Sequence, residues 1–345
     1  MKFGFQLPTG MEGLIVPIPF FRPEDFVTYA ILGEQLGYDS LWGNDHYAAQ
    51  DYVLEAYSKA PNYFEVLTVL TAAAAVTSHI ELGTSVLVLP MRDIVTTARQ
   101  IATLDQLSGG RLLLGVGIGA YREEYRAARP DLFGKNRGKI LEEGLELLGM
   151  LFGEDPVSYD GEYYCVDHLD LCPKPARIPF PILVGGHQKF GIERAVRYGQ
   201  GWIPGWRPFE ELKVWVQLLR ERAAEMGRDP QSLIVAPQFS CFVGRTQEEA
   251  ESRYRNSGMV KHRISLAYTG RDPALAMENN LIGCPEVLLE KLDQLDSFGV
   301  DHLSALTFCV DTVNEFEEQM RLFAAEVMQP YRQSHRGHPV DLVVG

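Results

Sequence analysis

Along almost the whole chain, short apolar runs rich in β-branched and aromatic residues alternate with longer segments whose apolar positions recur every three to four residues. The first pattern is that of a buried strand and the second that of an amphipathic helix, so their alternation predicts βαβ units around a parallel sheet. KFGFQLP, from Lys2, precedes a helix with Phe26, Tyr29, Ala30 and Leu36 on its apolar positions, closed by Gly37. DSLWGND, from Asp39, leads to the Ala-rich helix around Val66 to Val76, and IELGTSVLVLP, from Ile80, to a helix from about Ile94 to Leu107. RLLLGVGIG, from Arg111, precedes a helix at Ile140 to Leu151, PILVGG, from Pro181, one at Ile192 to Tyr198, and GWIPG, from Gly201, one at Leu212 to Met226. LIVAPQFSCFVG, from Leu233, leads after an irregular stretch to Pro285 to Phe298, and HLSALTF, from His302, to Phe316 to Val327. Eight such units predict an α/β fold in which a single (β/α)8 TIM barrel closes on itself.

Two stretches interrupt the alternation. VSYDGEYYCVDHLDLCPKP, residues 157–175, has the alternation and the Asp160-Gly161 turn of a hairpin outside the barrel. Residues 246–284, Thr246 to Cys284, are polar and patternless, which predicts an irregular insertion or lid at the barrel mouth. Neither reads as a linker, so residues 1–333 are expected to form one domain with a short tail at 334–345.

Composition narrows the function. The chain has 345 residues, 46% of them hydrophobic and 23% charged, as in an ordinary globular enzyme. A formal charge of −14 argues against nucleic acid or an anionic membrane as partner, since either requires a basic surface. The five cysteines, Cys165, Cys172, Cys241, Cys284 and Cys309, contain no C-x-x-C pair, so neither a disulfide framework nor a zinc site is expected. MKFGFQLPTG lacks the apolar core of a signal peptide, and no run approaches the ~18 apolar residues of a membrane span, so a cytoplasmic location is expected.

In a TIM barrel the chemistry lies at the C-terminal strand ends. Strand two ends in Asn44-Asp45-His46, strand four in Gly117 to Tyr121, strand five in Gly185-Gly186-His187 and strand six in Pro204-Gly205-Trp206. His46 is the candidate for proton transfer, with Asp45 beside it to bias its charge, although a histidine bonding a loop carbonyl would occupy the same place. Gly185, Gly186, His187 and Gln188 between a strand and a helix suit a phosphate, to which Arg137 could add charge; a tight turn explains the glycines equally. Trp42, Trp202, Trp206, Tyr47 and Tyr121 at the rim suit a flat, partly apolar ligand, with Trp42, Tyr47 and Trp206 on the substrate side, although core packing would account for any one of them. Gly115, Gly117 and Ala120 fit a G-x-G-x-x-A dinucleotide turn, but the following helix is cut short by Arg129-Pro130. Gly117 and Gly119 are therefore expected to clear space for a planar ring at the end of strand four, with Ala120 beside it and Tyr121 at the rim. His168-x-Asp170 offers too few ligands for a metal, and no metal site is expected.

The stretch ELGTSVLVLPMRDIVTTARQIATLDQLSGGRLLLGVGIGAYREEY, from Glu81, resembles the central part of the bacterial luciferase-like superfamily of flavin-dependent oxidoreductases. The DGEYY hairpin, PKP followed by PFPILVGG, GQGWI and the closing EVMQP extend the resemblance over Lys2 to Tyr331. The resemblance implies a barrel that binds reduced flavin at its C-terminal face, commonly as a homodimer. Members take reduced FMN from a separate flavin reductase and react it with oxygen to oxidise a small-molecule substrate. Others use the deazaflavin coenzyme F-420 for hydride transfer without oxygen, and some chains bind flavin without catalysis. Carried onto this chain, His46 matches the catalytic histidine and Asp45 the position before it. Thr84, Ser85 and Val86 fall at a non-prolyl cis peptide beneath the flavin ring. Arg137, Gly186 and His187 match phosphate-binding positions, and Ile118 stands where some members carry a further arginine.

Overall fold

The computed structural model describes residues 1–153, 155–267 and 272–335. Strands β1 (Lys2–Leu7), β2 (Ser40–Gly43), β3 (Glu81–Thr84), β4 (Leu87–Val88) and β5 (Leu112–Gly117) come first. The pair β6 (Val157–Asp160) and β7 (Cys165–Leu169) follows, then β8 (Ile182–Gly185), β9 (Gly201–Ile203), β10 (Ile234–Val235), β11 (Gln238–Val243), β12 (Leu281–Gly283) and β13 (His302–Phe308). Eleven of these form one parallel sheet in the order β10-β9-β8-β5-β3-β2-β1-β13-β11-β12, with β4 also pairing β5. The sheet is curled, because residues 234–238 bond to both of its flanks. The Ala236 N–H donates to the Trp202 carbonyl, and the Asp301 N–H to that of Val235. The result is the curled α/β sheet of TIM-barrel-like proteins, its strands read as continuous apolar runs because helices cover them.

The outer layer comprises α1 (Pro23–Leu36), α2 (Asp51–Ala56), α3 (Val66–Val76), α4 (Ile94–Ser108), α5 (Arg122–Ala128) and α6 (Arg137–Gly153). It continues with α7 (Lys189–Tyr198), α8 (Phe209–Glu225), α9 (Gln247–Arg255), α10 (Gly258–Ser265), α11 (Pro285–Ser297), α12 (Val313–Leu322) and α13 (Gln329–Ser334). Local chemistry sets many of their ends. Gly37 closes α1 in the left-handed conformation at φ 82°, and the Asp93 carboxylate caps α4 by accepting from the Thr96 N–H. Among the described residues no helix is long and apolar enough to cross a membrane.

Inside the curl, Trp42, Leu113, Leu183, Ile203, Ala236 and Ala305 from six different segments form one apolar layer, with Val86 packed against it. Trp42 was expected at the rim; it is instead fully buried in this layer.

Two expected strands are broken. Residues 80–90 divide into β3 and β4 around a cis Ser85–Val86 peptide, and a single helical turn at Leu89–Met91 follows. Residues 233–244 divide at Ala236-Pro237, where Pro237 has no N–H for the ladder. The region 246–284, expected to be irregular, carries α9, α10 and β12, and β12 pairs in parallel with β11. Its order comes from the Thr246 cap, which accepts from the Glu249 N–H, and from Ala250, Tyr254 and Met259, which are buried. Polar composition concealed these few apolar anchors. Residues 268–271 of that region and 336–345 of the expected tail lie outside the described residues. β6 and β7 form a separate antiparallel pair resting on α6, where the Tyr163 N–H donates to Glu143.

Candidate active site

The floor of the barrel mouth is the cis Ser85–Val86 peptide, the feature implied by the resemblance at those residues. Its surroundings hold it in place. The Ser85 N–H donates to the Gly43 carbonyl at 2.7 Å, and the Gln238 amide donates to the Ser85 carbonyl at 3.2 Å and to its Oγ. A Cβ on Gly117 would lie 2.6 Å from Val86 Cγ2, and one on Gly185 would lie 3.0 Å from Val86 Cγ1. Gly117 therefore makes room for a protein side chain and not directly for a planar ligand, which corrects the expectation from sequence. Thr84 lies beneath the floor, fully buried, with its hydroxyl donating to the Gly115 carbonyl. Gly119, at φ 73°, turns the chain at the rim, and Ala120 is exposed there.

His46 stands at the end of β2 with its Nδ1 2.7 Å from Glu124 Oε1. A carboxylate only accepts, so Nδ1 carries a proton and Nε2 remains to take or give one. Glu124 is buried on α5 and is held from three sides: by His46, by the Gln50 amide at 2.6 Å and by the Tyr47 N–H at 3.1 Å. Tyr63 donates to the other end of the Gln50 amide at 3.0 Å, which completes a chain of polar contacts. Burial works against a charge on His46, but the Glu124 carboxylate, by charge and hydrogen bond, and then Asp45 outweigh it and raise its pKa. Asp45 itself bonds elsewhere. Its carboxylate pairs with Arg92 at 2.9 Å and accepts from the Val88 N–H at 2.9 Å, so it pins β4 and adds only a field at His46.

Tyr121 is buried beside His46, with ring centres 6.1 Å apart, and its hydroxyl meets His262 Nδ1 at 3.2 Å and Ser265 Oγ at 3.0 Å, both on α10. Helix α10 therefore bounds the mouth. The remaining aromatics divide. Trp206 is buried under the Arg263 guanidinium at 5.6 Å, and Tyr47 joins a satellite cluster with Val88, Met91 and Tyr125 under Arg92.

The Gly185-Gly186-His187-Gln188 loop leads into α7, with Gln188 preceding its first turn. A Cβ on Gly186 would meet the Gly191 backbone at 2.9 Å, so the loop and helix can approach only with glycine there. Trp202 Nε1 donates to the Gly186 carbonyl at 2.7 Å, and Arg207 donates to the His187 carbonyl. Arg137, at the first residue of α6, donates to the Gly119 carbonyl at 2.9 Å and lies over the Tyr125 ring at 5.3 Å. It braces the rim of β5, and the cation fastened to the loop is Arg207.

Sequence reading missed Glu124, Gln50, Gln238, Arg207 and Arg263. The only local signal was the paired glutamates of REEY just beyond the β5 end, and nothing in them marked Glu124 as the partner of a histidine 78 residues earlier. Two clefts of about 580 and 550 Å³ lie along α12, lined among others by Glu317 and Arg321 and by Arg245 and Glu249. Neither includes His46 or Ser85.

Several known proteins are similar to this chain. Over 244 residues the chain is 31% identical to an F420-dependent hydroxymycolic acid dehydrogenase of Mycobacterium tuberculosis, a match covering 70% of this chain and 65% of that protein. It is 24% identical to an FMNH2-dependent dimethylsulfone monooxygenase of Pseudomonas putida over 96% of each chain. The crystal structure of the monooxygenase RslO1 from Streptomyces bottropensis shares the fold, with a TM-score of 0.78 at 23% identity over 96% of this chain and all of that one. The model of the luciferase-like monooxygenase family matches residues 1–302, and the chain belongs to that family.

Proposed function

We propose that this protein is a flavin-dependent monooxygenase that uses reduced FMN and oxygen to oxidise a small organic substrate, with His46 as its proton-transfer residue. The observation that supports this most is the His46–Glu124 pair, which leaves Nε2 of His46 to exchange a proton next to the Tyr121 ring. Reduced flavin would supply the electrons, and the chain's own residues would bind, orient and protonate. The site fits such a group: Val86 and Tyr121 give an apolar floor and wall, and the α7 N-terminus with Arg207 gives an anion position. Gly185, Gly186, His187 and Gln188 would hold the phosphate there. Glu124 keeps Nδ1 of His46 protonated, so that Nε2 exchanges the proton the reaction requires. Asp45 acts at one remove, by fixing β4 and Arg92.

A second reading is hydride transfer with the deazaflavin coenzyme F-420, favoured by the 31%-identical dehydrogenase named for that cofactor. Anaerobic titration with reduced FMN and with reduced F-420, followed by admission of oxygen, separates the two. Tighter FMN binding with oxygen-dependent substrate oxidation supports the first, F-420 preference without oxygen consumption supports the second, and binding of neither overturns both. A non-catalytic flavin-binding role predicts equal turnover for wild type and His46→Ala. A separate reductase would be the electron source in the first case.

We also propose a homodimer through α1, α3 and α4. Most apolar residues of α3 are consumed inside the protomer, so the outward face reduces to Ala72, Ala75 and Val76, flanked by exposed Ile31 and Leu107. A monomeric mass by light scattering would reject it.

A further inference from the structure

Helix α10 places a cation, Arg263, where the described residues provide no countercharge. Arg263 donates from Nη2 to Ser240 Oγ at 2.8 Å, lies over the Trp206 ring, and has a buried Nε with no acceptor. Trp206 Nε1 beside it is also buried and without an acceptor. The charged and titratable groups that face the guanidinium are the Tyr254 phenol, which also hydrogen-bonds it, the Cys309 thiol and the Tyr121 phenol, and among the described residues no carboxylate pairs with it. Burial pushes its pKa down, yet a guanidinium stays protonated. By contrast Arg92, Arg207 and Arg253 each pair with a carboxylate. A buried, unpaired charge is costly unless something satisfies it.

The position of this charge says what that is. Ser240 is two residues beyond Gln238 on β11, so both side chains project to the same face of the strand. Gln238 reaches Ser85, which puts the Arg263 contact about 7 Å further toward the mouth. His262, its neighbour on α10, touches Tyr121, which flanks His46.

We propose that Arg263 is the substrate-recognition residue of this site and that the substrates are organic anions, whose carboxylate or sulfonate is received by Arg263 with Trp206 Nε1 beside it. Both groups only donate hydrogen bonds, and an oxyanion only accepts them, so such a group satisfies both orphans at once. A neutral substrate leaves the guanidinium unpaired. The proposal rests on the barrel mouth being the active site, as read above.

The test is isothermal titration of the full chain, at fixed ionic strength, with hexanesulfonate and hexanoate against hexan-1-ol and hexanamide, in wild type, Arg263→Met and Arg263→Lys. The wild type should bind the anions at least about tenfold more tightly than their neutral partners. Arg263→Met should lose that preference while its affinity for FMN stays within about twofold, and Arg263→Lys should keep part of it. Equal binding of anion and neutral partner by the wild type overturns the proposal, as does a preference that survives in Arg263→Met. Loss of FMN binding in Arg263→Met would assign the arginine to the cofactor and overturn it too. If Arg263→Met does not fold, wild type and Arg263→Lys decide, since a wild type without preference is sufficient to reject. A wild type that prefers anions but binds neither FMN nor F-420 leaves the anion site standing and defeats the oxidoreductase reading alone.

Discussion

Two histidines occupy opposite ends of the same barrel, His302 buried and His46 partly so, and their surroundings push them in opposite directions. His302 begins β13 at the N-terminal end, where its Nε2 meets Ser40 Oγ at 2.7 Å and Trp42 Nε1 donates to the same oxygen. Burial, with Lys2 and the chain's amino terminus nearby, lowers its pKa to about 3, so it is a neutral hydrogen-bonding plug. His46 ends β2 at the mouth, where a carboxylate outweighs burial and raises its pKa. Imidazole is common to both, and the difference lies in whether a carboxylate faces it. A barrel of this kind separates stability at the bottom from chemistry at the top.

If that division holds, removing each histidine damages a different quantity. His46→Gln, which retains a donor for Glu124, should cost about 10²–10⁴-fold in kcat/KM for whichever substrate the wild type turns over, as general acid–base residues do. A loss under tenfold would remove His46 from the chemistry. His302→Ala should cost about 2–4 kcal/mol of stability in urea denaturation, through a cavity and a weakened Ser40 network, with turnover per folded molecule unchanged.

Stability against pH should sharpen the contrast, because the two shifts have opposite signs. The unfolded chain protonates both histidines near the ordinary imidazole value of 6.5. His302 takes up its proton more readily when unfolded, so its contribution is complete above pH 6.5 and is lost as pH falls from 6.5 toward 3. His46 holds its proton more firmly when folded, so its contribution is complete below pH 6.5 and is lost as pH rises through its raised pKa. His302→Ala should flatten the acid side of the profile, of the order of several kcal/mol across that window. His46→Gln should flatten the neutral side, and Glu124→Gln should lower the His46 pKa as read by NMR titration.

The smallest effects come from one substitution made at the two ends. A Cβ on Gly4 would lie 2.3 Å from Ser40 Oγ, 2.4 Å from the Ser304 carbonyl and 2.4 Å from Trp42 Nε1, in the bottom network. A Cβ on Gly10 would lie 3.2 Å from His46 Cβ at the mouth. Gly4→Ala should therefore cost about 1–3 kcal/mol or more, and Gly10→Ala under about 1 kcal/mol with a measurable change in kcat/KM. Equal costs by thermal unfolding would mean that the mouth is packed as tightly as the bottom.

Strand and helix order was readable along the chain because periods of two and 3.6 residues, glycine caps and proline breaks are local properties. So were the strand ends that carry His46 and Gly185, whereas Ser85 lies inside what reads as one continuous strand and was marked only by the resemblance. Family resemblance, which depends on runs such as ATLDQLSGGRLLLGVGIG, also lies in consecutive residues. Pairings across the barrel have no such local trace. His46 and Asp45 are neighbours in sequence, yet Asp45 serves Arg92 and Val88 while His46 takes Glu124 from another unit. Trp42 reads as a rim aromatic, but on a pleated strand successive side chains face opposite sides, and it points into the barrel with Ser40. The glycines of LGVGIG look like a nucleotide turn; packing assigns Gly117 to Val86, between β3 and β4. Arg263 is one arginine among many until folding encloses its Nε and places Trp206 and Ser240, and among the described residues no carboxylate, around it. Charge balance in a buried site depends on which distant segments meet there, and only the curled sheet with its covering helices brings them together.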